Sequence, residues 1–156
     1  MGNQDALLFL QEILEDLEKA SRWLDRSLLK CRSLSFEKEI SDEMADDLET
    51  LLSRFARLTD LLINKAFRAI DRMELEEPGS LIDVVNRAAR RGIVDSVEAV
   101  RVLKELRNEI VHDYAGHRWR ELTASILKHS PNLQSLIQRT IAYCHRFDFA
   151  GPVSQQ

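Results

Sequence analysis

Apolar residues recur every three or four positions along almost the whole chain, which is the spacing of amphipathic α-helices and not of strands. Only 5 glycines and 3 prolines interrupt this pattern. The pattern therefore predicts an all-α protein, an antiparallel helical bundle of five to six helices that begins with two long helices.

The first predicted helix starts near Asp5, which can cap it, and ends at Cys31. Its apolar seam alternates steps of three and four residues and consists of Leu7, Leu10, Leu14, Leu17, Ser21, Leu24, Leu28 and Cys31. Residues 32–40 break the spacing, and a second long helix follows. The second seam consists of Met44, Leu48, Leu51, Phe55, Leu58, Leu62, Ala66, Ala69 and Met73. Because only a short loop joins these two helices, we expect them to pack antiparallel.

A short third helix is predicted after Pro78 and Gly79, which end the second helical region. Ser80, with Asp83 three residues later, has the spacing of a helix start, and Gly92 is placed to stop the helix after Arg91.

A fourth helix is predicted to start at Asp95, with Glu98 three residues later, and to end at Gly116. Its apolar positions are Val97, Val100, Leu103, Leu106 and Ile110. Trp119, Leu122 and Ile126 then share one helical face. The pair Ser130 and Pro131 is typical of a cap and a first helical position, so we expect a separate last helix there.

The length of 156 residues favours a single domain, which we place at residues 1–149, with a frayed tail at 150–156. Hydrophobic residues make up 44 % of the chain, yet no apolar run reaches the roughly 18 residues that a spanning helix needs. The start of the chain also lacks the features of a signal peptide. We therefore expect a cytoplasmic protein without a membrane partner, whose two cysteines, Cys31 and Cys144, are reduced thiols in the core.

The formal net charge of −4 does not attract nucleic acid, so any contact with a polyanion must come from a local basic patch. Seven acids lie between Glu37 and Glu49, against one lysine. The basic residues that follow on the same helix are Arg54, Arg57, Lys65, Arg68 and Arg72. This distribution fits a solvated face ordered by the helix dipole, and it also fits phosphate binding. Arg87, Arg90 and Arg91 leave the same two interpretations open.

The segment with the clearest chemistry runs from Arg107 to Tyr114 and contains Asn108, His112 and Asp113. A guanidinium group suits phosphate oxygens, and histidine is the side chain whose ordinary pKa allows proton transfer near neutrality. Together they suit metal-free phosphodiester cleavage, with the histidine as acid or base and the arginine stabilising charge on the phosphoryl group.

The spacing of an arginine and a histidine alone is weak support for such a site. Arg139 and His145 come close to the same spacing, but they flank Tyr143 in the last predicted helix, so we assign them to packing and surface. A tyrosine two residues after the histidine lowers the chance occurrence from about 0.4 to about 0.005 per chain of this composition. The fuller pattern therefore supports a functional hypothesis.

Arg107, His112 and Tyr114 reproduce the R-x4-H-x-Y motif, and by this motif the chain resembles the HepT-like proteins of the HEPN superfamily. The order of the predicted helices resembles that family over roughly residues 6–147. The resemblance implies an all-helical homodimer that acts as a metal-independent endoribonuclease toxin on RNA, with no cofactor. It also implies a partner, an MNT-type nucleotidyltransferase antitoxin that transfers AMP to the motif tyrosine.

Carried over residue by residue, the resemblance makes Arg107 and His112 the catalytic pair and Tyr114 the acceptor of AMP. Asn108 fits, because a polar residue directly after the arginine is common in the family, and we place Asn108 and Asp113 as supporting residues.

Helix geometry independently favours a dimer built through the motif-helix region. Residues five apart on an α-helix point about 140° apart, so Arg107 and His112 of one chain make a poor site. A two-fold axis beside this helix end would bring both copies of each residue into one cleft. Arg107 and Tyr114 are seven apart and point only about 20° apart if the helix persists, which would place an AMP on Tyr114 near the arginine.

Other readings of the same residues stay open. A non-catalytic subunit that docks on a minimal nucleotidyltransferase is the main alternative, and residues 79–93 also resemble that branch of the family. A helical adaptor without chemistry is a third reading, in which Arg107 pairs with an acid, His112 caps carbonyls and Tyr114 is a core aromatic. Surface positions are expected for His117 and His129, and core or interface positions for Trp23 and Trp119.

Overall fold

The computed structural model describes residues 2–147 and 149, and within them the chain is helical throughout and contains no strand. The elements are α1 (Asn3–Cys31), α2 (Asp42–Asp60), a π-helical segment (Leu61–Ala66), α3 (Phe67–Met73), α4 (Leu81–Arg90), α5 (Val97–His112) and α6 (Trp119–Cys144). The predicted all-α bundle with two long N-terminal helical regions is confirmed. The tail predicted at residues 150–156 lies outside the described residues.

The first two helical regions form an antiparallel hairpin. At one end Lys30 of α1 pairs with Asp47 of α2 at 3.0 Å, and at the other end Asn3 and Met73 line a common cavity. The predicted seams supply most of the core between them, including Leu10, Leu17, Leu24, Leu48, Leu51, Phe55 and Leu62, each fully buried. Helices α5 and α6 pack against α2 and complete the bundle.

A π-helical segment joins α2 to α3 without a break, a feature that periodicity did not predict. The backbone N–H of Phe67 donates to the carbonyl of Leu62, five residues earlier, instead of four. The wider turn keeps Leu62, Ile63 and Ala66 buried, so the apolar seam continues through it. This segment begins directly after Asp60, the last residue of α2.

Two predicted helix starts were placed on the wrong residue. Helix α1 begins at Asn3 after Gly2, and Asp5 lies within its first turn, where its charge favours the helix dipole. Helix α5 is capped by Ser96, whose hydroxyl accepts the backbone N–H of Ala99 at 3.1 Å, while Asp95 pairs with Arg139 at 2.7 Å. The predicted start of α4 is confirmed, since Ser80 and its helix form a reciprocal capping box.

The last two predicted helices are one helix, so the boundary expected at Ser130 and Pro131 is wrong. Helix α6 runs unbroken for 26 residues with Pro131 inside it. The Ser130 hydroxyl donates to the carbonyl of Ile126 at 2.6 Å instead of capping a new helix. Leu133 and Ile137 are buried with Ile126 in the core, and this common burial outweighs the roughly 3 kcal/mol that an interior proline costs.

Two of the arginines that the sequence left between a structural and a phosphate-binding role hold the C-terminal end of α4 against α3. Asp71 is buried, and its carboxylate lies 3.0 Å from Arg87 and 2.5 Å from Arg91. Arg91 also pairs with Glu74 at 3.1 Å. A buried charge needs such partners, so these arginines are structural and not available to phosphate.

The remaining sequence predictions about single residues mostly agree with the structure. Cys31 and Cys144 are free and buried, and burial raises the pKa of Cys144 to about 12. Trp119 packs partly buried against the core, whereas Trp23 is 43 % exposed and is therefore not a core residue. None of the helices in the described part of the chain is both long and apolar enough to cross a membrane.

Candidate functional site

The motif residues lie at the end of α5 and in the turn that follows it. Helix α5 ends at His112, because Asp113 leaves the helical conformation at φ −87° and ψ 63°. Gly116, which was expected to close the helix, lies four residues further on, within the turn. Tyr114 is therefore outside the helix, and the expectation that it shares a helical face with Arg107 does not hold.

Arg107 is held by an ion pair with Asp60, the last residue of α2. Its Nη2 donates to Asp60 Oδ2 at 2.9 Å, and its Nε lies 2.8 Å from Oδ1. The arginine side chain is about one-third exposed, so water screens this pair only partly. The pair fixes the guanidinium group on the side of α5 that faces α2.

Asn108 contributes a second contact to the same guanidinium group. The Nη1 of Arg107 donates to Asn108 Oδ1 at 3.3 Å. Each Nη carries two N–H groups, and one on each is engaged by these contacts. Among the described residues, the remaining N–H on each Nη has no protein partner, so two donors of a fixed guanidinium are left to bind oxygen atoms.

His112 and Tyr114 are presented to solvent. Both residues are exposed, and Tyr114 is 87 % exposed, which excludes a role as a core aromatic. Their rings meet edge to face, with centroids 6.2 Å apart and an interplanar angle of 81°. The imidazole makes no hydrogen bond within the described part of the chain, so it can reach a group that binds from outside.

Asp113 shapes the turn that carries Tyr114. Its carboxylate accepts the backbone N–H groups of His117 and Arg118, each at 3.2 Å. Arg118 in turn pairs with Glu109 at 3.3 Å and with Glu121 at 2.7 Å. The hydrogen bonds from Arg118 lower the pKa of Glu121, so this pair stays ionised. Asp113 therefore fixes the loop after α5 and does not pair with Arg107.

Gly116 allows this turn to close against α6. Its φ of +69° lies in the left-handed region that side chains disfavour. A Cβ at this position would lie 2.8 Å from Cζ2 of Trp119, so the indole ring occupies the space that glycine leaves. The hydrogen bonds of Asp113 thus hold the start of the turn, and the packing of Trp119 on Gly116 holds its end.

Arg107 and His112 are not brought together within one chain. Arg107 is turned toward α2, His112 faces solvent, and no contact joins the two side chains among the residues described. The structure thus assembles Arg107, Asn108 and Asp60 into one cluster and leaves His112 and Tyr114 in a second, adjacent one. No three His, Cys, Asp or Glu side chains within residues 2–147 and 149 are grouped to hold a metal ion.

Asp60 is the site residue that the sequence interpretation missed. A signal was present: the charged residues within 50–72 are all basic except for two acids, Asp60 and Asp71. Both acids bind arginines in the structure, Asp60 at the motif and Asp71 under α4. Isolated acids in a basic helix would have been reasonable candidates for such partners, but the sequence does not say which arginine each one binds.

The chain matches the family model described as Ribonuclease HepT-like over residues 10–140. This range contains nearly all of the bundle and the whole motif from Arg107 to Tyr114. The protein therefore belongs to the HepT-like ribonuclease family, as its motif indicated. No curated protein matches the chain.

We predict that Gly116→Ala destabilises the protein more than Gly92→Ala does. Both positions have positive φ, at +69° and +77°, so each alanine carries the backbone penalty of about 1–2 kcal/mol. Only Gly116 is crowded, by Trp119, whereas a Cβ at Gly92 meets nothing within 4 Å. The alanine at 116 should therefore cost roughly 1 kcal/mol more, through displacement of the indole.

Urea denaturation followed by circular dichroism measures the free energy of unfolding of both variants. Tryptophan fluorescence, measured with Trp23→Phe added to each variant, reports on the indole of Trp119. Equal losses of stability in the two variants, with unchanged fluorescence, would show that the contact between Gly116 and Trp119 does not hold the turn.

Proposed function

We propose that this protein is an endoribonuclease that cleaves RNA without a metal ion and acts as the toxin of a toxin–antitoxin pair. Family membership supports ribonuclease activity in general. The observation that carries the finer proposal is that the motif arginine is fixed by Asp60 and retains two N–H donors, while His112 faces solvent at the end of the same helix.

The reaction we assign is attack by a ribose 2′-hydroxyl on the adjacent phosphorus. The bond from O2′ to phosphorus forms and the bond from phosphorus to O5′ breaks, which leaves a 2′,3′-cyclic phosphate and a 5′-hydroxyl. A proton leaves O2′ and a proton reaches O5′, and His112 moves a proton in this exchange. Arg107 binds the non-bridging oxygens through its two remaining donors and stabilises the charge that builds on them.

Asp60 acts in this proposal as a positioning residue. A guanidinium held on one edge by a carboxylate presents its other edge in a defined direction, at a smaller entropy cost when phosphate binds. The same carboxylate offsets the positive charge of Arg107, so recognition depends more on hydrogen-bond geometry than on net charge. Recognition of phosphate by hydrogen-bond geometry is consistent with the overall charge of −4.

A homodimer would complete the site. Arg107 and His112 point about 140° apart on one helix, so the arginine of one copy is better placed to work with the histidine of the other. Val111 supports this arrangement, because it is 40 % exposed beside the motif, as an apolar contact between copies would require. We assign the two-fold axis to the end of α5.

Tyr114 is the proposed acceptor of AMP, which an MNT-type nucleotidyltransferase antitoxin transfers from ATP. The phenolic oxygen, on losing its proton, forms a bond to the α-phosphorus, and the bond from that phosphorus to the departing pyrophosphate breaks. The chain has 2 tyrosines, and they differ in availability. Tyr114 is 87 % exposed, whereas the hydroxyl of Tyr143 donates to Glu74. Burial and the Glu74 carboxylate raise the pKa of Tyr143, which makes it a poorer nucleophile. An AMP group on Tyr114 would add bulk and negative charge beside His112, where RNA must bind.

We predict that His112→Ala lowers RNA cleavage about 10²- to 10⁴-fold, the usual range for loss of a general acid or base. The substitution removes an exposed ring without hydrogen bonds in the described structure, so helicity and dimerisation should not change. His117→Ala is the matched control, since His117 is an exposed histidine in the same turn that contributes its backbone N–H to Asp113.

The measurement compares cleavage of a labelled single-stranded RNA by nuclease-free preparations of the parent protein, His112→Ala and His117→Ala. Full activity in His112→Ala, or an equal loss in His117→Ala, would remove His112 from the reaction. If the parent protein cleaves no RNA but still binds a nucleotidyltransferase, the non-catalytic docking subunit becomes the better account.

We predict that the protein gains one AMP per chain when it is co-expressed with the nucleotidyltransferase, and that the adduct lies on Tyr114. Intact mass followed by peptide digestion locates the group. Tyr114→Phe should abolish the mass increase and Tyr143→Phe should not, because only Tyr114 is openly accessible. An adduct on another residue, or none with a transferase of verified activity, would contradict the assignment.

A further inference from the structure

Trp23 lies exposed on α1 between two arginines. The indole is 43 % exposed, which is unusual for so large an apolar ring in a bundle. The guanidinium carbon of Arg54, from α2, lies 4.9 Å from the ring centroid, and that of Arg26 lies 5.8 Å away. Both distances are within the range of cation–π contacts. The ring and its cations form one continuous surface across α1 and α2.

Arg54 is fixed in this position, while Arg26 can move. The Nη1 of Arg54 donates to the carbonyl of Trp23 at 3.0 Å and to the hydroxyl of the buried Ser27 at 2.7 Å. Arg26 makes no hydrogen bond within the described part of the chain. It can therefore leave the ring and bind an incoming phosphate, which would expose a face of the indole for stacking.

Two cavities flank Trp23, and most of the charged residues that line them are cationic. One, of about 300 Å³, is lined by Trp23, Arg26, Ser27, Lys30, Cys31, Asp47, Thr50 and Arg54. The other, of about 230 Å³, is lined by Ala20, Trp23, Arg54 and Arg57. Together their walls hold four cationic side chains and one acid, Asp47, which is already paired with Lys30 at 3.0 Å. Such a basic wall is complementary to phosphate, and an exposed aromatic ring is complementary to a base.

Helix α2 leads from this surface toward the motif. Arg54, Arg57 and Asp60 follow one another on α2 at intervals of three residues, so Asp60 lies about 9 Å along the helix axis from Arg54 and about 120° around it. Asp60 holds Arg107. Arg57, which lines the second cavity, therefore lies one turn from the residue that positions the catalytic arginine.

We propose that Trp23, Arg26, Arg54 and Arg57 form a docking site for single-stranded RNA that feeds the strand to Arg107. A base stacks on Trp23 and the neighbouring phosphates bind Arg26 and Arg57, while Arg54 holds the ring in place. This inference rests on the proposed function, since RNA is its ligand. It assigns substrate binding to a surface on α1 and α2, outside the motif.

The test measures binding and cleavage separately in the full chain. Binding of a fluorescein-labelled single-stranded RNA is followed by anisotropy in the His112→Ala background, which leaves the RNA uncut. Trp23→Ala should weaken binding about tenfold, since stacking of one base is worth about 1–3 kcal/mol, and Trp23→Phe should retain most of the affinity. Arg57→Gln should reduce the salt dependence by about one counterion. Leu29→Ala, an exposed apolar residue of the same helix, is the matched control and should change nothing.

Cleavage with His112 intact completes the test. Trp23→Ala should raise KM for a long RNA and leave kcat unchanged. Unchanged RNA affinity in folded Trp23→Ala and in Arg57→Gln would overturn the docking site. Loss of dimerisation in Trp23→Ala without loss of RNA affinity would also overturn it, because that result would assign the surface to contact with a second copy of the chain. If Trp23→Ala does not fold, Trp23→Phe and Arg57→Gln decide by the same measurements.

Failure of the docking site and failure of the proposed function give different results. A parent protein that cleaves RNA, with a Trp23→Ala variant equal to it in KM, overturns only the docking site. A parent protein that binds RNA through Trp23 but does not cleave it overturns only the nuclease.

Discussion

The ion pair between Arg107 and Asp60 is the contact on which the candidate site depends. It joins the end of α2 to the start of the motif segment on α5, and the two residues lie 47 positions apart in sequence. An arginine at the rim of a bundle would otherwise sample many rotamers in water. With one edge held by Asp60 and Nη1 held by Asn108, the guanidinium presents two donors in a fixed direction. The π-helical segment begins at the next residue after Asp60. An irregular helical turn therefore directly follows the position where α2 contacts the motif.

The rest of the site is built from elements that position exposed groups without burying them. The hydrogen bonds of Asp113 and the packing of Trp119 on Gly116 hold the turn after α5. Tyr114 is thereby displayed almost entirely to solvent. The acceptor role that we propose for Tyr114 requires this exposure, whereas the buried cluster of Asp71 with its arginines only holds helices together.

Sequence periodicity predicted the helices well because the burial of one apolar face determines which segments of this chain are helical. The seam from Leu48 to Met73 passes through the π-helical segment unnoticed, since steps of four residues look the same in either kind of turn. Pro131 was interpreted as a boundary because local chemistry favours one there, and only the packing of both halves of α6 on a common core overrides it. The motif was visible from its side-chain types. Its partner Asp60 was not, because no local rule connects an acid to an arginine on a distant helix.

We propose that Arg107 of one copy and His112 of another form one RNA-cleaving site. The most direct measurement co-expresses Arg107→Ala and His112→Ala chains under different tags, isolates the mixed dimer by sequential affinity steps, and compares its RNA cleavage with that of each homodimeric variant. We expect both homodimeric variants to be inactive and the mixed dimer to recover up to half of the activity of the unsubstituted protein, because one of its two sites contains both residues. A mixed dimer as inactive as the two homodimeric variants would contradict a site shared between copies.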